Sequence, residues 1–591
     1  MTHIDFSYFG HSGSTVRANG LSGYLRFSAG STTKIATGIK ALDIGSSGFT
    51  MDNQFTSGSA CSYDFDAPLT GGGTLTFGTR HQHTNNAKSF YMFNGDVSEF
   101  TGIVQFGAQS HRPVVVFKAS GDVVPDPTDW GQIMVTSNKN VNVCAAWNSV
   151  GGYWIRGTAN VSSTGSLVCG GGTQKIAGDG VIRYVAAPGS YPELSSSAWT
   201  GTVVLDYAVG NHIDFAAIVN SFGTANSTVE IGANGTIVEG YFNATVTPTL
   251  KVTGSVQVND GSSSNKRNFT KVTGTGTFEF GTKGAMVNYA IDNLVDWDGT
   301  MTVGSSNASL TNIVSGTGSI VFNVKPTPAP AVSSGYTGEI VLAFNWQNVD
   351  LSAYSGDNST LVLGSMTGYF AQNNGGATGI KGKTVVNGTV VIENGWPRGA
   401  GNYWSDDRCV KFNTLEVAGS ISLIYPTGTG WKNYWGYISA AVLDGDSTGS
   451  ITVGNNFLLK VNAVDFATAP SGTGRLVSLA LTGENDSEGY SHKGKLYGPN
   501  GVAGEAIPVT VGGVATDQKL VYATVNDASG LYLAVAQYGS NYYATFQDAL
   551  TARGSGSGVI TVLDASAPVP AGYKIKDGKL VRDLKPMVIL F

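Results

Sequence analysis

Short stretches in which apolar and polar residues alternate recur along the whole chain, and glycine borders most of them. The alternation is plain in GGGTLTFG (71–78), AGDGVIRY (177–184), TGTGTFEF (273–280) and SGTGSIVF (315–322). A period of two over four to six residues is the pattern of a half-buried β-strand, and flanking glycine permits a tight corner. A second pattern follows each of these by 20 to 29 residues: an aromatic, then Thr or Asp, then Gly and another alternating strand. It reads FTGIVQFG (100–107), WTGTVVLD (199–206), WDGTMTVG (297–304) and YTGEIVLA (336–343), with WGQIMV (130–135) as a shortened copy.

The two patterns together read as a two-part repeat. A single copy cannot bury its own apolar face, whereas stacked copies share a continuous core. Less regular strands fill the intervals, among them STVEIGANGTIVEGYF (227–242), LKVTGSVQV (250–258), TLVLGSMTGYF (360–370), KTVVNGTVVIENG (383–395) and GSITVGNNFLLKV (449–461). At about 20 to 25 residues per coil the array predicts a rod on the order of 100 Å or more. AAPGSYPELSSSA (186–198) and KPTPAPAVSSG (325–335) fall between the two parts of a repeat, so they are loops within it rather than domain linkers. Phe100, Trp199, Trp297 and Tyr336 are expected to fill corners of the core.

The C-terminus changes character. YYATFQDALTARG (542–554) predicts a helix presenting Tyr543, Phe546 and Leu550, with Gly554 as its stop. GVITVLDAS (558–566) predicts a strand, and GYKIKDGKLVRDL (572–584) a hairpin turning at Asp-Gly. The expected organisation is a β-solenoid over 1–485 and a small α+β capping module over 486–591, since a solenoid needs its open end covered.

Composition narrows the class further. Of 591 residues 81 are glycine, charged residues are only 13% and hydrophobic residues 41%. That excludes a disordered polar chain and disfavours helices, whose surfaces require Glu, Lys and Arg. Net charge is −6 with no basic stripe, so no nucleic-acid partner is expected. No apolar stretch approaches the roughly 20 residues of a membrane-spanning helix. The N-terminus, MTHIDFSYFGHSGS, lacks the basic and apolar regions of a signal peptide, and the strand-like LSGYLRFSAGS after it reads as a cut inside an array. Cys61, Cys144, Cys169 and Cys409 form no CxxC pair. Cys144 and Cys169 lie about one coil apart, which leaves stacking, bridging and buried free thiols all open.

The alternation of GxGxΦxΦ with aromatic–Thr–Gly–x–Φ–x–Φ, where Φ is apolar, resembles the passenger repeats of autotransporters and related bacterial surface β-helix proteins over roughly residues 20–480. The resemblance implies a right-handed parallel β-helix displayed on a bacterial cell surface, with a role in adhesion or surface architecture. Members of that family end in a membrane barrel of roughly ten-residue alternating strands. No such strands follow here, so the resemblance does not extend to that route of secretion.

β-Helices also carry sugar-cleaving sites, which need two carboxylates about 5 to 9.5 Å apart. Asp406 and Asp407, in NYWSDDRC, are the densest carboxylate pair, although neighbours on a strand point to opposite faces. Aromatic density peaks over 396–437, with Trp396, Tyr403, Trp404, Tyr425, Trp431, Tyr434, Trp435 and Tyr437. Trp396, Tyr403, Trp404, Trp431 and Trp435 are the candidate glycan-stacking residues; the rival reading is an insertion packing its own small core. His81 and His83 are spaced to share a metal on one strand face, with His111 the nearest third ligand. Exposed loop histidines are the plainer reading. Calcium suits turns such as DGDSTG (444–449) and VNDGSSSN (258–265) but is not specified by them, and no other cofactor is called for. The expectation is a non-enzymatic extracellular surface protein with a structural, adhesive or self-assembling role, forming a homo-oligomer or filament. The alternative is a carbohydrate-active enzyme or glycan-binding β-helix that meets a cell-surface glycan through 396–437.

Overall fold

The computed structural model describes residues 13–26, 32–35, 38–54, 61–78, 89–106, 114–118, 122, 132–135, 140–144, 152–156, 158–161, 176–186, 199–209, 219–220, 224–240, 245–258, 267–281, 289–344, 346–349, 351–370, 379–393, 410–424, 436–454, 457–483 and 492–584. The fold is all-β with long parallel sheets, and the described residues contain little helix. The chain divides into two compact units, Met1–Thr311 and Asn312–Phe591.

In the first unit, strands in one long row pair in parallel with the next strand of that row. The row runs from Leu21–Arg26 through Val181–Tyr184, Thr202–Leu205, Thr228–Ile231, Val246–Val252 and Arg267–Gly274 to Tyr289–Trp297. A second row includes Thr236–Gly240, Ser255–Val258, Thr277–Phe280 and Thr300–Val303. From residue 228 the chain alternates between these rows, so each strand pairs with the second one after it. Earlier in the unit a separate parallel sheet takes the place of the second row, from Thr32–Ile35 to Ile176–Ala177.

Register explains the alternating sequence. Ala159, Ile182, Val203, Val229, Leu250, Val272 and Leu294 stand in one column across successive strands, and none is more than 1% exposed. Strands spaced about 4.8 Å apart bring like side chains into contact, so apolar residues stack on apolar residues. In the separate sheet the columns are aromatic: Phe65, Phe93 and Phe117 stack at centroid distances of 4.6 and 5.1 Å, and Tyr63 lies on Tyr91 at 5.0 Å.

The two parts of the sequence repeat are neighbours in one row. Val104–Phe106 pairs with Leu75–Gly78, Thr202–Leu205 with Val181–Tyr184, Thr300–Val303 with Thr277–Phe280, and Glu339–Leu342 with Ser319–Phe322. Both patterns therefore encode one event, a tight corner followed by a strand. Strand alternation alone does not say which sheet receives it.

The corner itself has a fixed construction. Gly71, Gly178, Gly274 and Gly316 adopt φ of 96°, 119°, 127° and 127°, a region side-chain-bearing residues avoid. Each pairs with the aromatic of the next strand, Phe100, Trp199, Trp297 or Tyr336, all buried. The residue after the aromatic donates its backbone N–H to that glycine's carbonyl at 2.8–2.9 Å. Two residues past the aromatic, a Cβ on Gly102, Gly201, Gly299 or Gly338 would lie only 2.0–2.3 Å from the carbonyl oxygen of the glycine beside it. Tyr336 also donates its hydroxyl to the Gly318 carbonyl at 2.7 Å, whereas the indole N–H groups of Trp199 and Trp297 are buried without a protein acceptor.

The second unit repeats the scheme. One row runs Ser319–Phe322, Glu339–Leu342, Thr360–Leu363, Ile380–Val386, Val410–Val417, Gly436–Asp444 and Phe457–Phe466. The other runs Trp346–Val349, Met366–Phe370, Thr389–Glu393, Ser420–Ile424, Ser450–Val453 and Val477–Leu481. Both then meet an antiparallel closure. Phe457–Phe466 pairs with Ile507–Val511, which turns into Val514–Val525, then Ala528–Leu533, which pairs antiparallel with Val477–Leu481. Edges that would template further pairing are thus occupied. The turns at Gly512-Gly513 and Asn526-Asp527 have both central residues at positive φ, which suits two-residue hairpins.

Residues from 536 form an antiparallel sheet in the order Asn541–Tyr543, Ala536–Tyr538, Ile560–Val562, Lys579–Arg582, Tyr573–Lys576. The helix Phe546–Arg553 packs Phe546 and Ala549 against Ile560 and Leu580. Thr545 caps it by accepting from the Asp548 N–H at 3.0 Å, and Gly554 at φ 53° ends it. Tyr543, expected on the helix, instead ends the preceding strand. The final hairpin turns at Asp577-Gly578 with φ of 50° and 67°.

Two substitutions test this packing. Gly276→Ala would set a methyl 2.1 Å from the Gly254 carbonyl and is expected to destabilise by about 3 kcal/mol, read from the urea unfolding midpoint. Gly474→Ala, with no atom nearby, should stay within about 0.5 kcal/mol. Thr384 is fully buried between Leu361 and Leu415, its hydroxyl without a partner. Thr384→Val is therefore expected to stabilise by about 1 kcal/mol in the same measurement.

Candidate functional site

The corners of the second unit differ on its two sides. One side carries tight two-residue connections, Asn387-Gly388 between Val386 and Thr389 and Ala418-Gly419 between Val417 and Ser420. Their glycines form a ladder: a Cβ on Gly419 would come within 2.3 Å of the Gly388 carbonyl, and one on Gly449 within 1.9 Å of the Gly419 carbonyl. The same side also carries longer connections, five residues between Asp444 and Ser450 and ten between Phe466 and Val477. On the other side the chain leaves Glu393 and returns at Val410, leaves Ile424 and returns at Gly436, and leaves Leu481 and returns at Lys495. The first unit has the same asymmetry, with Thr253-Gly254, Thr275-Gly276 and Asp298-Gly299 tight and longer connections after Val258 and Phe280.

That asymmetry bears on the aromatic-rich region. Glu393 and Ile424 are register partners on adjacent strands, and so are Val410 and Ile438. The segments 394–409 and 425–435 are therefore anchored at neighbouring points on the same side of the unit. Rigid rows carrying variable segments at one edge are a common way to present a binding surface. Trp396, Tyr403, Trp404, Asp406, Asp407, Trp431 and Trp435 themselves lie outside the described residues. Tyr437 lies within the strand Gly436–Asp444 and is 8% exposed, so it belongs to the packed wall rather than to an open stacking surface.

The other sequence candidates are placed as follows. His81, His83 and His111 lie outside the described residues, as do Cys169 and Cys409. Cys61 and Cys144 fall in the strands Cys61–Phe65 and Asn140–Cys144. Among the described residues, no group of three or more His, Cys, Asp or Glu is arranged to hold a metal. In the turn 444–449, Asp444 accepts from the Asp446 N–H at 3.0 Å, and Asp446 accepts from the Ala467 N–H at 2.7 Å. Those oxygens serve the turn and the neighbouring chain at Ala467. No described helix is long and apolar enough to cross a membrane.

Outward charges are spent between neighbouring strands. Arg17 meets Asp43 at 2.6 Å and Lys251 meets Glu230 at 3.1 Å, each pair in direct register. Arg156 meets Asp179 at 3.0 Å and Arg183 meets Asp206 at 3.1 Å. The densest group was not singled out by sequence. Lys383 reaches Glu416 at 2.5 Å and Asp444 at 3.1 Å across successive strands of one row. Asp465 stands in register with Asp444, and accepts from the Thr510 hydroxyl and the Gly513 N–H. These residues are about one repeat apart in sequence, so only the strand register shows that Lys383, two positions before the Val385 that pairs with Glu416, reaches them diagonally. Partial burial would lower the Lys383 ammonium, but its hydrogen bonds to Glu416 and Asp444 outweigh that and raise it above 10.5.

Comparison with protein-family models, with curated proteins and with solved structures gives no match.

Lys383 supplies a pH test. A raised ammonium stabilises the fold fully below its ordinary value of 10.5, and the contribution fades as pH climbs through the folded value. Since the side chain is 41% exposed, screening keeps the effect below about 1 kcal/mol. The stability gap between wild type and Lys383→Gln is expected to stay constant through the neutral range and to shrink only above pH 10.5.

Proposed function

We propose that the alternating parallel rows are successive coils of a right-handed β-solenoid, and that the chain is a non-enzymatic extracellular protein of a bacterial surface with a structural, adhesive or self-assembling role. The observation that carries the reading is the register: from Thr202–Leu205 on, strand after strand within each unit pairs in parallel with the second one following, through columns of buried apolar residues. A chain built this way extends by adding repeats and needs no compact core. The distribution of charge supports the same reading, because outward Arg and Lys contact carboxylates of adjacent strands instead of converging in a cleft. Residues 486–591 act in this proposal as the capping module, which accords with the antiparallel closure of both rows.

A second reading rests on the neighbouring anchors of 394–409 and 425–435. In it the aromatic-rich region, with Trp396, Tyr403, Trp404, Trp431 and Trp435, binds a cell-surface glycan, and Asp406 and Asp407 supply carboxylates if the glycan is cleaved.

A glycan array read alongside product analysis separates the two. Wild-type protein that binds a glycan without cleaving it, with binding lost in Trp404→Ala, supports an adhesive role. Cleavage abolished by Asp407→Ala overturns the non-enzymatic reading. Negative-stain images are expected to show an elongated particle, and a compact sphere would overturn the solenoid.

A further inference from the structure

We propose that Arg553, Arg582 and the hydroxyl of Tyr573 form an oxyanion-binding site on the C-terminal antiparallel module, for a sulfate or phosphate group. Arg553 ends the helix Phe546–Arg553, and Tyr573 and Arg582 face each other on the final hairpin. Directly opposed residues on antiparallel strands share a face, with Cβ atoms about 5 Å apart. From the helix side, an Arg553 Nη2 donates to the Tyr573 hydroxyl at 3.4 Å, and its guanidinium carbon lies 5.9 Å from the centre of the tyrosine ring. Two guanidinium-bearing residues on different elements thus flank one tyrosine.

Among the described residues, the carboxylates of the module are engaged elsewhere. Asp583 is held by Lys574 at 2.9 Å, Asp564 by the Ser566 N–H and hydroxyl, and Asp548 by the helix cap at Thr545. Asp577 sits in the hairpin turn. Neither arginine has a carboxylate partner among the described residues, and the Arg553 Nε is buried with no acceptor. Bringing two cations together costs free energy unless a negative charge joins them. An N–H left buried without an acceptor adds a further cost. A tetrahedral oxyanion removes both penalties, because planar guanidinium groups donate in pairs to such oxygens. The local field already favours negative charge: the hydrogen bond from Arg582 lowers the Tyr573 phenol from its ordinary value, against a smaller opposing effect of burial. A plain structural role for Arg553 at the helix C-terminus would account for its position there. It would not account for Arg582 flanking the same tyrosine.

The test is isothermal titration of the full chain at fixed ionic strength with sodium sulfate, sodium phosphate and dextran sulfate, against sodium chloride. Saturable binding of one ion per chain is expected, weakened at least tenfold in Arg582→Gln and in Arg553→Gln and unchanged in Lys576→Gln, which lies on the other face of the sheet. Arg582 is exposed, so its replacement leaves the fold intact, and a thermal melt verifies this for both variants. Inorganic sulfate binding alone identifies a free ion as the ligand; a much tighter response to dextran sulfate identifies a sulfated polymer. Absence of saturable binding to all three, or binding untouched by both arginine substitutions, overturns the site.

Discussion

The whole arrangement depends on how closely one strand's corner approaches the next. At the tight corners a glycine carbonyl accepts a hydrogen bond from the residue after the following glycine: Thr277 N–H to Gly254 O at 2.9 Å, Thr300 N–H to Gly276 O at 2.9 Å, Ser420 N–H to Gly388 O at 2.9 Å and Ser450 N–H to Gly419 O at 3.0 Å. The same oxygens occupy the space a Cβ would need. Serine replaces the glycine at Ser227 and Ser359, where Thr228 and Thr360 donate to the Gly201 and Gly338 carbonyls at 3.1 and 3.0 Å, but glycine is the usual residue at that point. Its recurrence sets the register, and the register places every inward and outward side chain.

From that constraint the rest follows in order. A fixed register stacks Val on Leu and Phe on Phe, so each buried column is continuous and its strands need only two to ten residues. It stacks outward residues too, which is why Arg17 finds Asp43 and Lys383 finds Glu416 and Asp444 without any nearness in sequence. A parallel row has two raw edges, and the hairpin Val514–Val525 to Ala528–Leu533 meets the outermost strands of both rows in the second unit at once. The long connections after Glu393, Ile424 and Leu481 lie on the side opposite the Gly388–Gly419 ladder, where variation costs the core little.

Much of this was legible beforehand. The alternating stretches at 71–78, 177–184, 273–280 and 315–322 all contain strands, and the aromatics heading the second pattern are all buried. The helix and the Asp-Gly hairpin were readable from a cap, a stop and a turn dipeptide, although Tyr543 was assigned to the wrong element. A helical period fits it as well as the strand does; pairing with Ala536 decides between them. The candidate site was less legible. Aromatic density drew attention to 396–437, but Tyr437 belongs to the wall, and the Lys383 cluster and the Arg553–Tyr573–Arg582 group carry no local signature.

The sequence by itself determined the strand class, the glycine corners and which residues face inward, since these depend on period-two alternation and on the absence of a Cβ. Only the tertiary structure decided which strand lies beside which. The two sequence patterns read as parts of one repeat without saying how they pair, and they are consecutive members of one row. The physical reason is that alternation specifies a face and glycine specifies a turn, while partner choice rests on backbone hydrogen bonds that every strand can make. Those bonds are assigned only when the columns of side chains close on one another, and the same step brings residues such as Lys383 and Asp444 within reach.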